Sequence, residues 1–123
     1  MSPPPQCLAV LVVEDDDDIR EAVAGVLEGE GFQVYQAENG ARALDRLKDM
    51  PHPSLILADL MMPVMDGWQL IGALSRDDRL ATLPVVLVSA LDKGRPEGFL
   101  HIKKPIDFND LLKIVDGHCL RRT

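Results

Sequence analysis

Four short stretches of this chain place reactive side chains directly after apolar runs. "LAVLVV" (8–13) leads into Glu14 and Asp15, and "LILA" (55–58) stops on Asp59. "LPVVLVSA" (83–90) carries Ser89 near its end, and "GFLHI" (98–102) is followed by Lys103-Lys104-Pro105. A lone carboxylate at the tip of a core strand costs free energy unless something pairs with it. If these strands are neighbours, three carboxylates, a hydroxyl and an ammonium share one crevice. Three close carboxylates repel and raise one another's pKa, a conflict that a divalent cation removes. The all-oxygen donor set suits Mg²⁺ rather than zinc, and Mg²⁺ keeps several waters and phosphate oxygens in its shell. The pattern fits one Mg²⁺ beside a phosphoryl group, with Asp59 either a ligand only or a nucleophile as well.

The elements that must position these groups can be read from periodicity. The run at 8–13 is apolar throughout, as a strand buried on both faces requires. Ile19, Ala22, Val23, Val26 and Leu27 then mark one helix face, with Asp18 as the expected cap and Glu21 three residues on. Gly29 and Gly31 end that helix. Residues 32–37 alternate as a second strand. Asn39-Gly40 punctuates, and Ala43 to Met50 forms a second helix with Leu44 and Leu47 inward, stopped by Pro51 and Pro53. Strand three spans 54–58. Residues 66–76 form a third helix with Asp66 and Gln69 at capping-box spacing. Strands four and five fall at 83–90 and 98–102. Phe108, Leu111, Leu112, Val115 and Cys119 mark a last helix capped by Asp107. Gly40 and Gly67 read as turn glycines. Alternating strands and helices imply a parallel sheet covered on both faces, with ligands beyond the carboxyl ends of the strands.

Composition narrows the function classes. With 123 residues the chain fits one domain with a real core. Only 4% of residues are aromatic, so that core must be aliphatic. A formal net charge of -7 argues against a nucleic-acid surface, which needs excess Lys and Arg. Cys7 and Cys119 sit near opposite ends with no CxxC, which supports neither a disulfide framework nor a zinc site. His52, His101 and His118 are not expected to be ligands. No apolar stretch is long enough to span a membrane, and "MSPPPQC" lacks the basic start and long apolar core of a signal peptide. Residues 1–7 are expected to be a disordered tail, and the cytoplasm is the expected location.

In order, "VVEDD", "ILADLMMPVMDG", "LPVVLVSA" and "KKP" closely resemble the receiver domain of two-component response regulators, over almost the whole chain. The resemblance implies a receiver domain at 8–121 with a flavodoxin-like, doubly wound, five-stranded parallel sheet of order 2-1-3-4-5. It implies a signalling switch rather than an enzyme acting on outside substrates. Asp59 would accept a phosphoryl group from a phosphohistidine on a sensor histidine kinase or phosphotransfer protein. Asp15 and Asp59 would ligate Mg²⁺, with Glu14 helping directly or through water and the backbone carbonyl of Met61 as a further ligand. Ser89 would be the switch hydroxyl. Lys104 would pair with Asp59 and then with the phosphoryl group, its bond to Pro105 being cis. Output would pass to an unidentified downstream protein, and pairing into a homodimer is allowed.

One departure from the family is expected to matter. A parallel crossover normally takes about a dozen residues or more, and "LDKGRPEG" (91–98) has two glycines and a proline. The helix between strands four and five should be shortened or lost, leaving a loop or a single turn. The position of the usual switch aromatic on strand five is His101. A second reading is therefore a receiver-shaped interaction module that works without phosphate. A phosphatase fits less well, because Met61 stands where the second acid, two residues after Asp59, would be. A calcium loop counted from Asp16 fails because Glu21 falls at the required glycine. Asp16, Asp17 and Asp18 are read as a solvated helix start favoured by the helix dipole, and Lys103 as a surface charge.

Overall fold

The computed structural model describes residues 9–91 and 93–119. The tail expected at 1–7, Leu8 of the first run and the end of the expected domain at 120–121 lie outside these residues. So does the inward placement expected of the Cys119 side chain.

The described residues form, in order, β1 (Ala9–Val13), α1 (Asp17–Gly29), β2 (Gln33–Ala37), α2 (Gly40–Asp49), β3 (Leu55–Asp59), α3 (Gly67–Ser75), β4 (Val85–Ser89), β5 (Leu100–Lys103) and α4 (Phe108–Cys119), with strands and helices alternating except from β4 to β5. The strands form one five-stranded parallel sheet of order β2-β1-β3-β4-β5, as the resemblance implied. The central strands β1 and β3 are buried at every residue, which explains why they read as unbroken apolar runs.

The two-residue period of a strand divides those side chains between two cores. Val10 and Val12 of β1, Leu55 and Leu57 of β3, and Val86 and Val88 of β4 pack with Val23 and Leu27 of α1 and Leu111 and Val115 of α4. Leu11 and Val13, with Ile56 and Ala58, face the other way onto Ala43 and Leu47 of α2 and Leu70 and Leu74 of α3. Leu44 is half-buried against that second core, while Leu47 is fully part of it.

Helix starts obey local capping chemistry, with one shift of register. The cap of α1 is Asp16, whose Oδ1 accepts from Ile19 N–H at 3.1 Å, and not Asp18 as expected. Any aspartate of the run can cap; placing Val23 and Leu27 on the sheet selects Asp16 and leaves Asp17 and Asp18 in the first turn, so the Asp18–Glu21 box does not form. Helix α2 begins at Gly40, earlier than expected, because Asn39 is its cap: Asn39 Oδ1 accepts from Arg42 N–H at 2.9 Å. The Asp66–Gln69 capping box is present in both directions, at 2.9 and 3.0 Å. Asp107 accepts from Asn109 and Asp110 N–H at the start of α4.

Two strands are shorter than their apolar runs. β4 begins after Pro84, which has no N–H for the ladder. β5 begins at Leu100, because Gly98 has φ +86° and cannot continue a strand. Among the described residues between Ser89 and Leu100 there is no helix, only bends and one turn, with Gly94 also at positive φ. No described helix is long and apolar enough to cross a membrane.

Candidate functional site

The site residues lie at or just past the carboxyl ends of β1, β3, β4 and β5. Backbone bonds that extend the ladders hold them there. Glu14 N–H donates to Ala37 O at 3.0 Å, Leu60 N–H to Val88 O at 3.2 Å, and Lys104 N–H to Ser89 O at 2.9 Å. The parallel register therefore brings together four segments far apart in sequence. The Lys104–Pro105 peptide is cis.

Two of the acids are nearly sealed from solvent. Glu14 and Asp59 are each 4% exposed. Lys104 Nζ lies between them, 2.8 Å from Glu14 Oε1 and 2.9 Å from Asp59 Oδ2. The other carboxylate oxygens are also engaged: Glu14 Oε2 accepts from Asp16 N–H at 3.1 Å, and Asp59 Oδ1 from Met61 N–H at 3.1 Å. Asp15 is exposed, yet one oxygen from each of Glu14, Asp15 and Asp59 falls within a 4.8 Å cluster. The three expected carboxylates and the expected ammonium thus meet, while Lys103 is exposed.

The electrostatics are those of a crowded anionic pocket. Burial pushes the Glu14 carboxyl up to about 7, and the charge of Asp59 adds to that, against the lowering bonds from Lys104 and Asp16 N–H. Burial acts to lower the Lys104 pKa, but its bonds to Glu14 and Asp59 outweigh this and raise it above its ordinary value. A cation that brings oxygen affinity and little need for protein ligands relieves the same crowding. The donor set here is all carboxylate, with one exposed member at the rim, and it fits Mg²⁺.

Ser89 is fully buried. Its Oγ accepts from Leu91 N–H at 3.2 Å and lies 3.0 Å from His101 Nε2. His101 Nδ1 is 2.7 Å from Arg95 Nη1. The Arg95–His101 contact was not legible in the sequence, since a loop without periodicity carries no signal of what it touches. Arg20 was also missed. Its guanidinium donates to Glu14 O at 2.8 Å, to Gln36 Oε1 at 3.2 Å and to Asp17 at 2.6 Å, so it braces the β1–α1 turn that carries two acids. Its only sequence signal is the i,i+3 spacing from Asp17.

The two glycines read as turn residues have a different role. Both open helices at negative φ, where the chain passes too close for a side chain. A Cβ on Gly67 would lie 2.7 Å from Asp59 O and 2.8 Å from Leu60 Cα. One on Gly40 would meet Met65 at 2.6–2.9 Å. Gly67 N–H also donates to Leu60 O at 2.9 Å, clamping the start of α3 against the strand end that carries Asp59.

A profile of the response regulator receiver domain matches residues 10–116. The chain belongs to the response regulator receiver domain family. Receiver domains are signalling domains, and the match runs from β1 into the last helix. The chain is similar to the DNA-binding dual master transcriptional regulator RpaA of Synechocystis, 35% identical over 121 residues that cover 93% of this chain and 49% of that protein. It is also similar to Protein PilG of Pseudomonas aeruginosa, 31% identical over 118 residues, covering 90% of this chain and 87% of that one. Among solved structures, the signal receiver domain of a signal transduction histidine kinase from Syntrophus aciditrophicus aligns with TM-score 0.81 and 32% identity, over 89% of this chain and 88% of that one. The chain spans about half the length of several of the curated relatives that it matches.

Proposed function

We propose that this receiver domain, taken as 8–121, is a phosphorylation-controlled switch with Asp59 as its phosphoacceptor. The observation that carries this is the Lys104 ammonium held between Asp59 and Glu14, with Asp15 in the same oxygen cluster. The donor would be a phosphohistidine of a sensor histidine kinase or phosphotransfer protein. An Asp59 oxygen forms the new bond to phosphorus as the phosphorus–nitrogen bond breaks, and the imidazole leaves with the electron pair.

Asp15, Asp59 and the Met61 carbonyl would hold Mg²⁺, with Glu14 beside them or acting through water. When bound, Mg²⁺ neutralises charge that develops on the phosphoryl oxygens. Lys104 already sits 2.9 Å from the acceptor carboxylate and can follow the charge onto the phosphoryl group. Ser89, one residue beyond the β4 partner of Asp59, supplies a hydroxyl for a phosphoryl oxygen. The phosphoryl group adds charge and acceptor oxygens and tips a two-state balance that a downstream protein reads. The acidic net charge of -7 favours a protein target over nucleic acid for this domain, in the cytoplasm where sensor kinases present their phosphohistidines.

A second reading has one observation in its favour. The β4–β5 crossover lacks a helix among its described residues, so the face built by that helix in relatives is remodelled. In that reading the domain binds its partner without phosphate. Incubation with acetyl phosphate and Mg²⁺, followed by intact-mass measurement, separates the two. One added phosphoryl group that Asp59→Asn abolishes supports the switch. An unmodified wild-type chain under conditions that label a known receiver supports the phosphate-independent module.

A further inference from the structure

The contacts around Ser89 have a direction. Arginine has only N–H donors, so at 2.7 Å from Arg95 Nη1 the Nδ1 of His101 must be the acceptor. The ring proton then sits on Nε2, which donates to Ser89 Oγ at 3.0 Å. That oxygen also accepts from Leu91 N–H. With both contacts arriving as donors, the hydroxyl proton of Ser89 points to neither and is left to donate elsewhere. Three groups in line thus donate the same way, and such chains strengthen each member by polarisation.

We propose that Arg95 and His101 are positioning residues that set the Ser89 hydroxyl as a hydrogen-bond donor to the phosphoryl group on Asp59. This rests on the phosphoacceptor reading and deepens it. Arg95 supplies an N–H donor to Nδ1 that favours the ring proton on Nε2, and its removal takes that contact away. In the other tautomer Nε2 accepts, and the Ser89 hydroxyl turns toward His101 and away from the phosphoryl oxygen. Arg95 lies in the short crossover, between Gly94 and Gly98 at positive φ, and reaches His101 near the start of β5.

The test combines histidine tautomer and phosphorylation rate. In wild-type protein, ¹⁵N spectra of the His101 ring should show the Nε2–H tautomer, and Arg95→Met should move it toward Nδ1–H. With phosphoramidate and saturating Mg²⁺, Arg95→Met and His101→Phe should slow phosphorylation by about three- to tenfold, the worth of one net hydrogen bond. Their Mg²⁺ affinity should stay within twofold of wild type (roughly, by the same hydrogen-bond scale). Arg95→Lys, which restores a donor to Nδ1, should recover most of the rate. The relay is overturned if wild-type His101 carries its proton on Nδ1, if Arg95→Met phosphorylates at the wild-type rate, or if Mg²⁺ affinity falls in step with the rate. An unlabelled wild-type protein overturns the phosphoacceptor reading itself. A labelled wild type with an unaffected Arg95→Met overturns only the relay.

Discussion

Replacing Glu14 by Gln in the metal-free protein should stabilise it at pH 8 relative to pH 5.5. Burial raises the Glu14 carboxyl from 4.5 to about 7 in the folded chain. Between those values the folded state holds a proton that the unfolded chain has released, so stability falls as pH rises through that window. Linkage across pH 5.5 to 8 then costs the wild type about 2 kcal/mol from this group alone. The amide of the Glu14→Gln variant does not titrate. It does face two donors, Lys104 Nζ and Asp16 N–H, with a single carbonyl oxygen, but the protonated acid has the same shortage. The amide keeps that shortage at both pH values, so its penalty cancels in the comparison between them. The raised Lys104 titrates above its ordinary 10.5 and contributes equally at both. Urea unfolding with a chelator at pH 5.5 and 8 reads the difference directly. Adding Mg²⁺ at about 100 times its dissociation constant should return ~2.7 kcal/mol to the wild type, and clearly less to Glu14→Gln. If the two proteins lose stability in parallel from pH 5.5 to 8, burial of an ionised Glu14 is not what destabilises the pocket, and the electrostatic account of the site fails.

Three further outcomes follow from local geometry. Val64 sits at φ +68° and is 80% exposed, so Val64→Asn should stabilise by about 1 kcal/mol in chemical denaturation, by relieving left-handed strain on a β-branched residue. Gly67→Ala should destabilise by about 2 kcal/mol and slow acetyl phosphate labelling as well, because its Cβ would press on backbone atoms of Asp59 and Leu60; unchanged stability would show that the helix start yields freely. Asp16→Ala should cost about 1 kcal/mol as a lost cap, with Asp18→Ala near neutral in the same thermal or urea measurement; the reverse ranking would restore Asp18 as the cap.

Much of this protein was legible before folding, wherever the signal is local. Strand positions follow from short unbroken apolar runs and one alternating segment, helix positions from a period of about 3.6 residues. The Asp66–Gln69 box and the Asp107 cap are set by contacts within three residues. The acids at 14, 15 and 59 stood out because a charge directly after an apolar run is costly to bury unless a partner waits for it. Other features waited for tertiary structure, because their partners lie far along the chain. Which aspartate caps α1 depends on how Val23 and Leu27 reach the sheet. Gly40 and Gly67 are required by neighbours 25 and about 8 residues away, not by their own dihedral angles. The Asp59–Lys104 ion pair spans 45 positions and Ser89–His101 spans 12. A residue type announces what it can donate or accept, but only the register of the parallel sheet decides which donor meets which acceptor.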